Sequence, residues 1–175
     1  MHNEISPKDG VARRIRRSYE AGHRPKFLVL IDETDDCGKA VYYASRRAVR
    51  LGAKVSLLRV IDPSEGVTPF LGVAETMRIE AQEEARQLLA RWAELVQAVA
   101  REPPETLIQQ GDAAAEIFSV IEADEDMAML VLAAGSSQGG PGPLIAQLGR
   151  TAGTYPIPVV IVPAHLSEDE LDALS

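Results

Sequence analysis

The stretch KFLVLIDETDD, Lys26 to Asp36, joins a continuous apolar run to a cluster of four carboxylates. The run has the length of a strand and no polar face, which is typical of a central strand in a parallel sheet covered on both sides by helices. A second run of this kind, MAMLVLAA, spans Met127 to Ala134. The two runs predict the middle of an α/β sheet, with acidic residues at the end of its first strand.

Three further strands are expected around this centre. KVSLLRVI, Lys54 to Ile61, is apolar along most of its length. ETLIQQ, Glu105 to Gln110, is short and polar, and PVVIV, Pro158 to Val162, opens with a proline. Both features indicate edge strands, since an edge tolerates polar residues and a missing N–H donor.

Helical periodicity fills the first two gaps between strands. The segment Lys39 to Leu51 places four apolar residues on one face, namely Ala40, Ala44, Ala48 and Leu51. The longer segment Val73 to Arg101 repeats apolar residues at spacings of three and four, namely Ala85, Leu88, Trp92, Leu95 and Val99. We interpret both stripes, including Trp92, as packing against the sheet.

Capping signals mark two of the later helices. Asp112 precedes AAAEIFSVIE as an N-cap, and Ser167 stands three residues before Glu170, the spacing of a capping box. Between them, Leu144 to Gly153 predicts a fourth helix, and the capping box predicts a short terminal one.

The order βαβαβαβαβ predicts a Rossmann-like, doubly wound parallel sheet of five strands, with strand order 3-2-1-4-5 and helices on both faces. Ligands in such sheets bind beyond the carboxyl ends of the strands, where the winding reverses. Here the segments 32–34 and 134–137 are expected to meet at that point. We divide the chain into a basic N-terminal extension (1–24), the α/β domain (25–165) and a short C-terminal helix (166–175).

Composition narrows the function classes. The chain of 175 residues carries a net charge of -8, and residues 27–175 alone carry 11 basic and 23 acidic residues, a balance of -12. An acidic body repels nucleic acid, and no apolar run is long enough to span a membrane, so we expect neither partner and a cytoplasmic location. With one cysteine and three scattered histidines, neither a disulfide nor a metal site is expected.

The N-terminal extension is basic. It contains RRIRR, Arg13 to Arg17, and we interpret it as a solvated segment rather than a nucleic-acid or lipid contact. Val11, Ile15 and Tyr19 recur every four residues, so a short docking helix is an alternative.

Several segments, in order, resemble the universal stress protein family. FLVLIDETDDCGKAVYYASRRAVRLGAKVSLLRVIDP (27–63) is similar to its first strand, acidic turn, helix and second strand, and QQGDAAAEIFSVIEADEDMAMLVLAA (109–134) to its third helix and fourth strand. PIPVVIVP (156–163) resembles its last strand. The resemblance implies a homodimer of Rossmann-like domains joined through the last strands, serving stress resistance rather than a metabolic reaction.

Many members of that family bind ATP through an Asp that ends strand one and a motif G-x2-G-x9-G-[S/T] after strand four. Asp32 matches the Asp. When strand four is aligned, the first glycine of the motif falls on Ala133 or Ala134 and the second on Ser136 or Ser137. The final Gly-Ser/Thr falls on Ala146-Gln147 or Gln147-Leu148, so none of the glycines of the motif is retained. A near-match, Gly139-x2-Gly142 and then Gly153-Thr154, lies too far beyond the strand. The resemblance therefore implies weak or absent ATP binding.

The residues that would form a nucleotide pocket are Asp32, Glu33, Thr34, Val60, Gly135, Ser136, Ser137 and Gly139. Glu33 adds to the negative charge of this mouth, where Lys39 and Arg150 are the expected cations, and phosphates would be repelled unless Mg²⁺ bridged them. The residues expected at the dimer interface are Pro158, Val159, Val160, Ile161 and Val162.

The acidic stretch also has simpler interpretations. Asp35 and Asp36 are read as carboxylates that cap the first helix, whereas Asp32 either meets a ligand or is a polar strand end. Cys37 falls in the first turn of that helix, where a thiol pKa tends to fall. We interpret it as a packed small residue, with a sensing thiol as the alternative.

Two enzyme-like classes lack parts. A phosphoacceptor receiver domain needs an Asp after strand three and a Lys after strand five, where this chain has Gln109-Gln110 and Val162-Pro163. A hydrolase of the G-x-S-x-G type lacks that motif. We therefore expect no catalytic residues. Together with the homodimer that the resemblance implies, this predicts a non-enzymatic homodimer with unidentified protein partners. The alternative is a Mg-nucleotide-binding protein that uses Asp32 and the Gly135 loop, with ATP as its ligand.

Overall fold

A computed structural model describes residues 14–63, 71–135 and 142–175, without the side chains of residues 71–73, 142–143 and 151–152. Five strands are present in this part of the chain: β1 (Lys26–Leu30), β2 (Lys54–Ile61), β3 (Glu105–Gln110), β4 (Met127–Ala134) and β5 (Val159–Pro163). The predicted bounds of β2, β3 and β4 are confirmed. The run KFLVLID, Lys26 to Asp32, predicts a first strand that ends two residues later than β1 does, and β5 begins after Pro158 rather than at it.

The helices are α1 (Cys37–Leu51), α2 (Leu71–Ala100), α3 (Ala113–Ala123), α4 (Gly142–Thr151) and α5 (Glu168–Leu174), and a 3₁₀ turn, Ala152–Thr154, follows α4. Two predicted helix starts are confirmed. The Asp112 carboxylate accepts a hydrogen bond from the Ala115 N–H, and Ser167 and Glu170 form a complete capping box. None of the helices in the described segments is both long and apolar enough to cross a membrane.

The sheet is parallel, and its order, β3-β2-β1-β4-β5, confirms the prediction. In the middle, Val29 is opposite Leu57 on one side and Val131 on the other. Because the chain winds outward from β1 to β3 and then returns to β4 and β5, the winding reverses between β1 and β4. The carboxyl ends of these two strands are therefore the place where the topology predicts a ligand site.

Each face of the sheet has its own helical layer. On one face, residues of α1, α2 and α5 share a buried cluster with the odd-numbered residues of β1, such as Phe27 and Val29, which are almost completely buried. On the other face, Leu28 packs in a cluster with residues of α3 and α4. Burial on both faces explains why β1 and β4 have no polar alternation.

The predicted helix faces were only partly right. In α1 the three alanines are buried, but Leu51 is 45% exposed, because the chain turns away at Gly52 with a left-handed φ of +67°. In α2, Trp92 is in the core as predicted. The other fully buried residues are Ala85, Leu89 and Val96, whereas Leu88 and Leu95 are only partly buried.

The basic N-terminal segment is mostly exposed over residues 14–24, in agreement with a solvated extension, but it is also attached to the domain at particular residues. Arg16 donates to the carbonyls of Ile121 (2.5 Å) and Asp124 (2.8 Å) and pairs with Glu122 (2.6 Å). These groups form the C-terminal end of α3 and the turn to β4, where free carbonyls and the helix dipole attract a cation.

Neighbouring residues extend this contact. Arg14 also donates to the Ala123 carbonyl, and the His23 ring lies 2.7 Å from the Asp126 carboxylate. Residues 14–17 have no regular secondary structure and residues 18–22 form turns, so the alternative docking helix is absent from residues 14–22, and Ile15 and Tyr19 are exposed. Val11 lies outside the described residues. We call residues 14–24 the N-terminal clasp.

The clasp generates a stability prediction. Arg16→Ala removes hydrogen bonds from a charged donor to two carbonyls and a carboxylate, so we expect the free energy of unfolding to fall by about 2 kcal/mol. Urea denaturation measures this change. The matched control is Arg86→Ala, which removes only an exposed pair with Glu83 at 3.4 Å and should change stability by less than about 0.5 kcal/mol. Equal effects of the two substitutions would contradict the anchoring role of Arg16.

Candidate functional site

The candidate site begins where β1 leaves the sheet. The Ile31 N–H donates to the Leu58 carbonyl at 2.8 Å, so the chain stays beside β2 for one residue after Leu30. Asp32 is then the first residue beyond the sheet. On the far side of the winding reversal, β4 ends at Ala134 and Gly135 follows it. The segments 32–34 and 134–137 were predicted to meet. The strands that lead into them, β1 and β4, are adjacent in the sheet.

The Asp32 carboxylate is held by its own loop. Its Oδ1 accepts hydrogen bonds from the Thr34 backbone N–H (2.7 Å) and the Thr34 hydroxyl (2.6 Å), and the Cys37 Sγ lies 3.1 Å away. The bond from the residue two positions ahead is an Asx turn. This turn fixes the direction of the chain between β1 and α1, so Asp32 has a structural role whatever else it contacts.

Cys37 lies under this turn and is fully buried. The Asp32 N–H donates to its Sγ at 3.2 Å. Burial, as the main cause, raises the pKa of the Cys37 thiol to about 12. This is the opposite of the fall that a position in the first helical turn suggested, because removal from water disfavours the thiolate. The interpretation of Cys37 as a packed small residue is the one that agrees with its burial.

Glu33 turns toward β2. Its carboxylate pairs with the Arg59 guanidinium at 2.6 Å. The Arg59 side chain is 16% exposed, whereas that of Glu33 is 76% exposed. Lys39 and Arg150 were the cations expected from the sequence near these carboxylates, and Arg59 was not included. Arg59 has the same parity as Val55 and Leu57 of β2, so period-2 alternation would have placed it on the α1–α2 face.

Asp35 is also paired, with Arg91 of α2 at 2.5 Å. Arg91 in turn stacks 4.8 Å above the centre of the Trp92 ring. At the start of α1, a Cβ on Gly38 would lie 3.1 Å from that ring, so glycine permits its close approach. The loop before α1 is therefore joined to the middle of α2 by the Asp35–Arg91 ion pair, and the first turn of α1 by the contact of Gly38 with Trp92.

The expected capping by Asp35 and Asp36 is wrong. Asp36 stands at the N-cap of α1, but its side chain makes no capping hydrogen bond. The reason is its backbone conformation: φ is -60° and ψ is -27°, in the helical region, whereas capping side chains start from the extended region. Asp35 is directed to Arg91 instead.

For the remaining residues of the predicted nucleotide pocket, the structure gives little evidence of a contact with a ligand. Val60 is 8% exposed and packs in the cluster with α3 and α4, on the opposite face of the sheet from Arg59. Ser136, Ser137 and Gly139 lie outside the described residues. α4 starts at Gly142, two residues before the predicted helix, and Gly153 is in the 3₁₀ turn after it. Within the segments described, no three His, Cys, Asp or Glu residues are grouped to hold a metal ion.

The predicted dimer strand lies at the edge of the sheet, where only β4 pairs with it among the described strands. Val162 is buried and Val159 and Val160 are partly buried, but Ile161 is 44% exposed. Pro158 precedes the strand, and its carbonyl accepts a hydrogen bond from the Leu130 N–H at 2.9 Å.

Comparison with known proteins agrees with this fold. The model of the universal stress protein family matches residues 23–163 of the chain. No curated protein gives a significant match. Among solved structures, the universal stress protein UspA from Lactobacillus plantarum is similar, with a TM-score of 0.67 and 20% identity over 79% of this chain and 97% of that one.

Two similar structures contain a nucleotide. A universal stress protein in complex with cAMP has a TM-score of 0.60 and 17% identity over 80% of this chain and 97% of that one. The universal stress protein from Archaeoglobus fulgidus in complex with dAMP has a TM-score of 0.54 and 12% identity over 79% and 97%. At these identities the likeness is one of fold.

The environment of Cys37 generates a reactivity prediction. Since the thiolate is the form that reacts and burial raises the pKa of this thiol to about 12, alkylation by iodoacetamide at pH 8.5 should be at least about 100-fold slower in the folded chain than in urea. Mass spectrometry of timed samples measures both rates. Native labelling as fast as in the unfolded chain would show that the thiol is accessible, as a sensing cysteine requires.

Proposed function

Because the chain belongs to the universal stress protein family, we propose that it is a non-enzymatic stress-response protein that acts as a homodimer and binds ATP weakly or not at all. The observation that carries the ligand part of this proposal is the engagement of Asp32. Its Oδ1 already has three neighbours from its own loop, at 2.6 to 3.1 Å. A ligand using the same oxygen would have to displace them, at the cost of breaking hydrogen bonds to an ionised group.

The sequence beyond β4 supports the same conclusion. Ala133 and Ala134 end the strand where the resemblance to the family expects the first glycine. Glycine permits close approach of a backbone to a phosphate, and a Cβ at that position obstructs it. The alanines lie at the end of β4, and the hydrogen-bonded Asp32 lies at the end of β1. Both features therefore disfavour a nucleotide at the two strand ends that would enclose it.

Dimerisation is supported by the edge strand β5. A parallel sheet with an unpaired, apolar edge is prone to pair with a second chain, and Ile161 leaves a large aliphatic side chain exposed there. Two copies related by a two-fold axis would bring the same strand from each chain together. The dimer is the form in which we expect the protein to contact its unidentified protein partners.

A second candidate function is binding of a Mg-nucleotide at Asp32, Val60 and the loop that begins at Gly135. The observation that favours it is charge compensation at the mouth. Arg59 pairs with Glu33 and Arg91 pairs with Asp35, so two of the four carboxylates present less repulsion to phosphates than a count of charges suggests. The solved complexes with cAMP and dAMP make an adenine nucleotide the natural ligand to test.

One experiment separates the two candidates. We expect purified protein to release no stoichiometric nucleotide on denaturation, as measured by mass spectrometry, and to show no thermal shift above about 1 °C with millimolar ATP, with or without Mg²⁺. Nucleotide present near one per chain, or a shift that Asp32→Ala abolishes, would favour the second candidate. Asp169→Ala is the matched control, since Asp169 is an exposed carboxylate on α5, a helix outside the two strand ends that form the candidate site.

The dimer is tested separately. Ile161→Lys places a charge on the exposed side chain of β5 in both copies, so the dissociation constant of the dimer should rise about tenfold or more, as measured by sedimentation equilibrium. Val49→Lys is the control, because Val49 is a similarly exposed aliphatic residue on α1 and its substitution should leave the dissociation constant unchanged. A wild-type chain that sediments only as monomer at micromolar concentration would refute the dimer.

A further inference from the structure

A cavity of about 410 Å³ lies between the end of β2 and the first half of α2. It is on the α1–α2 face of the sheet, whereas Val60 packs on the opposite face. Of the described nucleotide residues discussed above, the cavity is lined by Glu33 alone, which lies at its mouth. Its volume is in the range of small-molecule sites.

The inner wall is apolar. Ile61 contributes from the end of β2, and Ala81, Ala85 and Leu88 contribute from successive turns of α2. Ala85 is buried, while Ile61 and Leu88 are partly exposed, as expected for side chains that border an open space. This wall can cover a short hydrocarbon chain and would offer nothing to a fully polar ligand.

The charged groups are at the mouth. Arg59 lines the cavity, but its charge is offset by the 2.6 Å pair with Glu33. Glu80 and Glu84 line the same mouth, four residues apart on α2. Residues at this spacing are neighbours on one helix face, and like charges there repel. Among the contacts of the described residues, neither glutamate has an ion pair, in contrast to Glu75 and Glu83 of the same helix.

We propose that this cavity binds a small amphipathic primary amine. Its alkyl chain lies against Ile61 and Leu88, and its ammonium group lies between the carboxylates of Glu80 and Glu84. Charge complementarity selects a cation, because the described lining residues carry three carboxylates and one guanidinium, and it disfavours phosphates and carboxylates. The apolar wall selects an organic cation over a metal ion. The proposal does not depend on the proposed function of the family site.

Isothermal titration with n-hexylammonium and n-propylammonium tests the apolar wall. We expect one saturable site per chain, with affinity rising about fourfold for each added methylene that is buried. Hexylammonium should therefore bind at least about tenfold more tightly than propylammonium. Equal affinities, or no saturable binding of hexylammonium, would overturn the proposal.

Two variants test the position of the site. Glu80→Gln/Glu84→Gln should weaken hexylammonium binding about tenfold. The charge-matched control, Glu83→Gln/Glu94→Gln, changes two glutamates of α2 that do not line the cavity and should leave binding within about twofold. Ala81→Leu fills the cavity with a good helix-forming residue and should abolish binding while circular dichroism and thermal stability stay close to wild type. Equal weakening by the two double variants, or unchanged binding in folded Ala81→Leu, would show that the amine binds elsewhere.

Discussion

The structure depends on one constraint: the central strands β1 and β4 carry apolar side chains on both faces of the sheet, and both faces must be buried. Leu28 and Val29 point to opposite faces and both have no exposed surface, so each face of the sheet needs its own layer of helices. Right-handed crossovers supply the two layers only if the chain first winds one way and then returns. The reversal between β1 and β4, and the position of Asp32 beside it, follow from that requirement rather than from any property of the acidic residues themselves.

The fold was largely predictable for the same reason. Continuous apolar runs fix the central strands, and the polar run Glu105 to Gln110 fixes an edge, so strand order follows from burial. The buried faces of the helices were harder to predict. In α2, Leu88 and Leu89 are adjacent, and either is compatible with a helical stripe. Because α2 packs on α1 as well as on the sheet, its buried face is set by two neighbours, and Leu89 is the residue that is buried. The apolar periodicity of one helix does not show on which sides the neighbouring elements will pack against it.

The candidate site was predictable in place but not in detail. Asp32 follows β1 as the apolar run requires, yet the partners of Glu33 and Asp35 come from residues 26 and 56 positions away in the chain. Capping by Asp36 failed because it depends on φ and ψ, which residue type biases but does not determine. A count of carboxylates therefore overstated the negative field at the strand ends, because the compensating arginines belong to β2 and α2. The cavity beside α2 was missed because its lining combines residues from three separate segments.

The N-terminal clasp has a consequence for how the chain is made. Arg16 contacts carbonyls that lie 105 to 108 positions later in the sequence. In a chain synthesised from its N-terminus at about 5–20 residues per second, these acceptors appear roughly 5–20 s after the arginine that binds them. Contacts of such high sequence separation form late, since they require most of the intervening chain to be in place. The clasp can therefore attach only after α3 and the turn before β4 have been synthesised, long after β1.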